Sequence, residues 1–183
     1  MYEEEHDVIR RVQQGNINDF KVLVLKYQSA VFNLLYNMLR QHAYAEELTQ
    51  DVFVKAYENL HTFNFSSRFF SWIYRIAVNT AISQRKLQQR HFNMEPIPHS
   101  PVISAEENFI VKERDLILQN AISQLNEKHK AVIVLKYFEQ FSYSEIAEIM
   151  RINEKKVKSR LFEAHKILKG ILERSDYFRN KPL

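Results

Sequence analysis

The chain has 183 residues, 45% of them hydrophobic, and a formal charge of +4 with an isoelectric point near 9.2. Its two glycines and lack of cysteine exclude a glycine-rich phosphate loop, disulfides and cysteine-ligated zinc. No apolar run approaches a membrane span, and the start Met1-Tyr2-Glu3-Glu4-Glu5 is acidic rather than basic and apolar, so a cytoplasmic protein without membrane insertion is expected.

Glycine and proline are scarce and apolar residues recur at helical spacing, which predicts an all-α chain. Val8, Ile9 and Val12 mark a short amphipathic helix stopped by Gly15. Asn18 is a candidate cap for the next helix, whose wide stripe of Phe20, Leu23, Val24, Tyr27, Val31, Leu34, Leu35, Met38 and Leu39 fits the centre of a bundle. From Ala45 to Leu60 a third helix turns Ala45, Leu48, Val52 and Ala56 to a core. Glu47, Asp51 and Glu58 lie on its opposite face.

The stretch from Asn59 to Met94 contains no acid. It carries Arg68, Arg75, Arg85, Lys86 and Arg90 together with Phe63, Phe65, Phe69, Phe70, Trp72, Tyr74 and Phe92. Cations neutralise phosphates and aromatic faces stack on unpaired bases, so the combination suits opened nucleic acid. A loop from Thr62 to Ser67 ends in a serine cap, and a helix follows from Arg68 to about Arg90. Phe69, Ile73, Ile76 and Leu87 mark its buried face. Arg68, Arg75, Asn79, Ile82, Lys86 and Arg90 mark another face, mostly cationic or amide, suited to phosphates and base edges.

Residues 93–108 hold Pro96, Pro98 and Pro101 and read as a linker between two small domains, 1–92 and 109–175, with a tail at 176–183. Ser104 and Glu107 form a capping box ahead of a helix that buries Phe109, Leu116, Ala121, Ile122 and Leu125. Asn126 caps the next, with Val132, Leu135 and Tyr137 among its apolar positions. A second capping box, Ser142 and Glu145, with Phe141 and Ile146 able to staple across it, opens a short helix to about Met150. After the turn Arg151-Ile152-Asn153, Asn153 caps a longer basic helix through Val157, Leu161, Ala164 and Leu168. Short helix, turn and long basic helix make a helix-turn-helix. Lys155, Lys156, Ser159, Arg160 and Glu163 then remain free to meet a groove. The seven histidines show no metal-binding spacing and no serine, histidine and aspartate form a triad, so no catalytic residue, metal site, cofactor or enzymatic role is expected.

These residues resemble a family. Ala45-Glu46-Glu47-Leu48-Thr49-Gln50-Asp51-Val52-Phe53-Val54-Lys55-Ala56-Tyr57 and Phe69-Phe70-Ser71-Trp72-Ile73-Tyr74-Arg75-Ile76-Ala77-Val78-Asn79 are similar to region 2 of bacterial extracytoplasmic-function (ECF) sigma factors, of the sigma-70 superfamily. Phe141-Ser142-Tyr143-Ser144-Glu145-Ile146-Ala147 and Val157-Lys158-Ser159-Arg160-Leu161-Phe162 resemble their region 4. The resemblance implies that Glu47, Gln50 and Asp51 dock on the β′ clamp helices of core RNA polymerase. It implies that the loop Phe63–Arg68, with Phe63, Asn64, Ser67 and Arg68, and the helix with Trp72, Arg75, Asn79 and Lys86 capture the single-stranded −10 element, a flipped base included. It implies that the second domain sits on the β flap and reads the −35 duplex through Lys155, Lys156, Lys158, Ser159, Arg160, Phe162 and Glu163. Many members are held inactive by an anti-sigma factor, which makes such a protein a further candidate partner. The chain departs from the family pattern at Arg151, at Asn153-Glu154-Lys155-Lys156 and at Glu163-Ala164-His165. A stand-alone helix-turn-helix regulator on duplex DNA is the competing reading, and a helical adaptor without a DNA role is a third.

Overall fold

The computed structural model describes residues 2–91 and 109–174. Expectations for the segment 92–108, for the tail and for the side chains of Arg90 and Phe109 lie outside the described residues. Helix α1 (Tyr2–Gln13) ends as its glycine dictates: Gly15 has φ 103°, its N–H donates to Val12 O and that of Asn16 to Arg11 O. The acidic start is more than a charged tail. Glu5 is 6% exposed and accepts from Tyr27 Oη at 2.7 Å and from Lys26, which binds α1 to α2 (Phe20–Leu39).

Helix α2 touches α1, α3 (His42–Asn59) and α4 (Phe69–His91), so it is the centre of the bundle as its stripe predicts. A 3₁₀ turn at Ile17–Asp19 precedes it, which puts Asp19 rather than Asn18 at the cap position. Ala45, Leu48, Val52 and Ala56 are buried on α3, and Phe69 and Ile73 on α4. Leu87 is not: at 47% exposure it lies beyond the end of the bundle core.

In the second half, α5 (Phe109–Ser123), α6 (Glu127–Ile133), α7 (Tyr143–Met150) and α8 (Glu154–Leu172) enclose Ile122, Leu125, Val132, Leu135, Ile146, Ile149, Val157, Leu161, Ala164 and Leu168. Leu116 is 49% exposed, against expectation. The caps form as expected. Asn126 accepts from His129 N at 2.9 Å, Asn153 accepts from Lys156 N at 2.8 Å, and Ser142 and Glu145 complete a capping box. After α6 the chain widens into a π turn, Val134–Phe138, in which Glu139 N–H donates to Val134 O. The wider turn shifts the helical register and leaves Tyr137 54% exposed instead of in the core.

The two halves pack directly on each other. Helix α4 contacts α6 and α7, and α2 contacts the π turn.

Candidate nucleic-acid and polymerase interfaces

Glu47, Gln50 and Asp51 are exposed on α3, one turn apart and opposite its buried face. Among the described residues none of the three has an ion-pair partner, so two carboxylates and an amide stand ready for an external surface.

The loop before α4 is held from behind. Gln13 Nε2 donates to Leu60 O at 2.8 Å and to Phe63 O at 2.9 Å. Asn64 Oδ1 accepts from Ser66 N at 3.2 Å and Ser66 Oγ at 2.6 Å, an Asx turn. Phe65 takes φ 61°, with its ring against His6 and the Arg10 guanidinium 5.2 Å above it. Gln13 and Arg10 were not legible as part of this site, because nothing in the α1 pattern shows which loop it backs.

Two aromatics expected to offer stacking surface are packed instead. Phe63 is 3% exposed, with its ring centroid 5.0–5.6 Å from those of Phe65, Phe69 and Trp72. Trp72 is 8% exposed. The alternation of Phe and Trp that suggested a platform is in part the means by which the loop is nailed to the bundle. The helix starts at Phe69, so Arg68 and not Ser67 holds the cap position: its carbonyl accepts from Trp72 N at 3.2 Å.

Arg68, Trp72, Arg75, Asn79 and Lys86 fall within about 60° of one another around the helix axis at 100° per residue. Arg68, Asn79 and Lys86 are exposed and Arg75 is half-buried. Burial, then the nearby Arg151 guanidinium, lowers the Arg75 pKa, while Glu148 opposes the change. A cleft of about 600 Å³ opens here, walled by Asn64, Ser67, Trp72 and Arg75 on one side and Glu148, Arg151 and Asn153 on the other.

On α8 the outward face is Lys155, Lys156, Phe162 and Glu163, with Ser159 half-buried among them and Arg160 half-buried at its edge. Phe162 is 72% exposed, an apolar group set among cations. Lys158 is exposed, with its ammonium 5.5 Å from the Tyr143 ring centre. Glu163 makes neither a pair with Arg160 nor a free projection. It accepts from Ser159 Oγ at 3.0 Å and lies 3.1 Å from His129 Nε2, which together lower its pKa. Tyr137 Oη likewise meets His165 Nε2 at 2.9 Å. The histidines at 129 and 165 thus attach the outer side of the helix to α6 and the π turn.

An exposed acid face, a cationic and amide helix stripe and a capped helix-turn-helix now stand together in one chain. Sigma-70 region 2 matches residues 23–91, and Sigma-70, region 4 matches residues 115–168. Over 91% of its length the chain is 33% identical to the ECF RNA polymerase sigma-E factor of Haemophilus influenzae, of which it covers 94%. The chain belongs to the ECF group of the sigma-70 family. It is also 30% identical to the RNA polymerase sigma-H factor of Pseudomonas aeruginosa, over 93% of the chain and 95% of that protein. Two solved structures share the fold. One is CnrH in complex with the cytosolic domain of CnrY, with a TM-score of 0.66 at 21% identity over 92% of this chain and 97% of that one. The other is the sigma factor RpoE with the anti-sigma factor NepR from Bartonella quintana, with a TM-score of 0.64 at 24% identity over 86% and 98%. No helix of this sigma factor is long and apolar enough to cross a membrane, among the described residues.

Proposed function

We propose that this ECF sigma factor binds core RNA polymerase, brings it to a two-part promoter and holds the opened −10 strand. The observation that carries the reading is the pairing, in one chain, of an acid-free helix stripe and a basic helix-turn-helix. A duplex-only regulator has no use for the first. Glu47, Gln50 and Asp51 supply the polymerase-docking face. Arg68, Arg75 and Lys86 follow the phosphates of the −10 strand, and Asn79 offers an amide to a base edge. Phe63 and Ser67 support that surface, while Asn64 and Trp72 border the cleft where an unpaired base enters.

Region 4 places α8 in the major groove of the −35 duplex. Lys155, Lys156, Lys158 and Arg160 neutralise phosphates, and Phe162 suits the methyl group of thymine. Glu163, with Ser159 at one oxygen and His129 at the other, is held in place and uses a remaining lone pair to accept from an exocyclic amino group such as that of cytosine. An anti-sigma factor is a fitting antagonist, since covering either face would silence the chain.

Run-off transcription with core polymerase, with and without the chain, on genomic promoter fragments tests this. Core-dependent, promoter-specific transcripts are expected. Duplex binding without any effect on core would favour the stand-alone regulator. Within the same assay Asn79→Ala should reduce opening of duplex templates more than of templates already mismatched at −10. An equal loss on both would assign Asn79 a structural role.

A further inference from the structure

The family pattern is broken at Glu163-Ala164-His165, and both ionisable members of that triplet are tied to the body of the second half. The tie to Glu163 begins at a helix cap. Asn126 Oδ1 accepts from the His129 backbone N–H at 2.9 Å, which starts α6. That bond fixes the orientation of the amide and turns Asn126 Nδ2 toward His129 Nδ1, 3.0 Å away. An amide nitrogen only donates, so Nδ1 accepts and a ring hydrogen sits on Nε2. Nε2 donates in turn to Glu163 Oε2 at 3.1 Å, and Ser159 Oγ donates to Oε1 at 3.0 Å. The imidazole is 12% exposed, while the Glu163 side chain is 51% exposed. A covered ring thus steers a carboxylate that faces solvent.

A glutamate on a helix surface has several rotatable bonds, and here Lys156 attracts it electrostatically. Left loose, it samples many directions, and ordering it against DNA costs side-chain entropy. Held at both oxygens, Glu163 presents its remaining lone pairs in one direction and has no proton to give. His165 steadies the same frame from two residues further on. Its Nε2 meets Tyr137 Oη at 2.9 Å, and the two ring centroids are 5.5 Å apart, which fastens α8 to the π turn that continues α6.

We propose that His129 is a positioning residue that sets the −35 specificity of this chain. It holds Glu163 as a fixed acceptor, so that the position Glu163 faces selects a base with an amino group on its major-groove edge, cytosine or adenine. The inference rests on the −35 role given to Glu163 above. His129 acts only through that carboxylate, and nothing in the spacing of α8 announces it, because it stands 34 residues away on another helix.

The test uses holoenzyme assembled from core polymerase and the full chain. A genomic promoter fragment that gives a core-dependent transcript is randomised over its −35 element, and the bound duplexes are sequenced. The wild type should enrich cytosine or adenine at one position. His129→Leu removes the donor but leaves the Asn126 cap, which uses the backbone N–H. It should lower the enrichment at that position alone by about tenfold, the discrimination expected of one well-placed contact to a base edge. His129→Gln, whose side-chain amide can donate from nearly the same place, should restore the preference. Glu163→Gln should change the preference at the same position. An even loss across the whole −35 element in His129→Leu would make His129 a support of the fold and overturn the proposal. So would an unchanged preference in His129→Leu beside a changed one in Glu163→Gln, which would leave the reading of Glu163 standing. An unchanged preference in Glu163→Gln would overturn that reading, and the role of His129 with it. A last check needs no substitution. Long-range proton–nitrogen NMR spectra of the wild-type imidazole should place a hydrogen on His129 Nε2, and a hydrogen on Nδ1 alone would overturn the proposal.

Discussion

Arg151 ends α7 with φ 50°, a left-handed conformation that costs a residue with a Cβ about 1–2 kcal/mol. Its N–H nonetheless donates to Ala147 O and Glu148 O, closing the helix as a glycine would. Its guanidinium also faces that of Arg75 across the cleft. Arg151→Gly should therefore raise the stability of the free protein by about 0.5–1 kcal/mol, measured by chemical denaturation. A loss of stability would mean that the guanidinium makes contacts that outweigh the backbone strain. The sequence already set this position apart, because a glycine is common there in the family. Other residues were less legible. Phe63 and Trp72 read as stacking surface beside cations, yet both are buried, because the same ring chemistry that grips a base also fills a core. Glu163 carries two partners, and one of them, His129, is 34 residues away in sequence, which no local spacing reveals.

At the scale of elements, caps were the most legible features. Asn126, Ser142 with Glu145, and Asn153 all bond as their local patterns require, since a cap is decided within four residues. Asn153→Ala should cost about 1 kcal/mol and fray the first turn of α8, with amide exchange rising first at Lys155 and Lys156. Unchanged exchange there would mean that packing of Val157 alone holds the turn. Two expected caps do not form: Asp19 stands where Asn18 was expected before α2, and before α4 Arg68 takes the place of Ser67, its N–H donating to Glu148 Oε1 from eighty residues on. The π turn after α6 was also illegible: periodicity counts residues at constant pitch and cannot register one extra residue in a turn. On α3, by contrast, the apolar stripe alone fixes which face is left to solvent. Asp51→Lys on that face should weaken a pull-down of core polymerase without changing the circular dichroism spectrum. Undiminished binding would remove Asp51 from the docking surface.

For the molecule as a whole, composition and spacing foretold two helical halves but not that they close on one another. The proline-rich segment suggested independent domains, and the residues that join them are single side chains scattered over α4, α6, α7 and the end of the π turn. The deepest part of the seam holds an ionic group with no signature in sequence. Lys130 is 2% exposed, 3.9 Å from Glu127 Oε1, and donates to Ser123 O at 3.4 Å. Glu127 in turn binds Arg85, and its Oε2 is buried with no hydrogen-bond partner among the described residues. Burial brings the Lys130 pKa down from 10.5 to about 8, with Glu127 opposing the shift and Arg85 adding to it. The sign of the consequence is fixed. Below pH 8 the folded and unfolded chains both carry this proton, so Lys130 adds no slope. Between pH 8 and 10.5 the unfolded chain binds more protons, and stability rises with pH by up to about 1.4 kcal/mol per unit. Tyr74 acts in the opposite direction above pH 10, because burial and Glu139 push its hydroxyl well above 10.0. The clean window is therefore pH 8 to 10. Lys130→Met keeps the volume and removes the buried charge, while Arg85 still satisfies Glu127. At pH 7 the variant should be at least as stable as the wild type in urea. Its margin should then fall steadily to pH 10 as the wild-type lysine sheds its proton. A margin that stays constant across the window would mean that water reaches the Lys130 ammonium, and that the seam between the two halves is looser than its geometry implies.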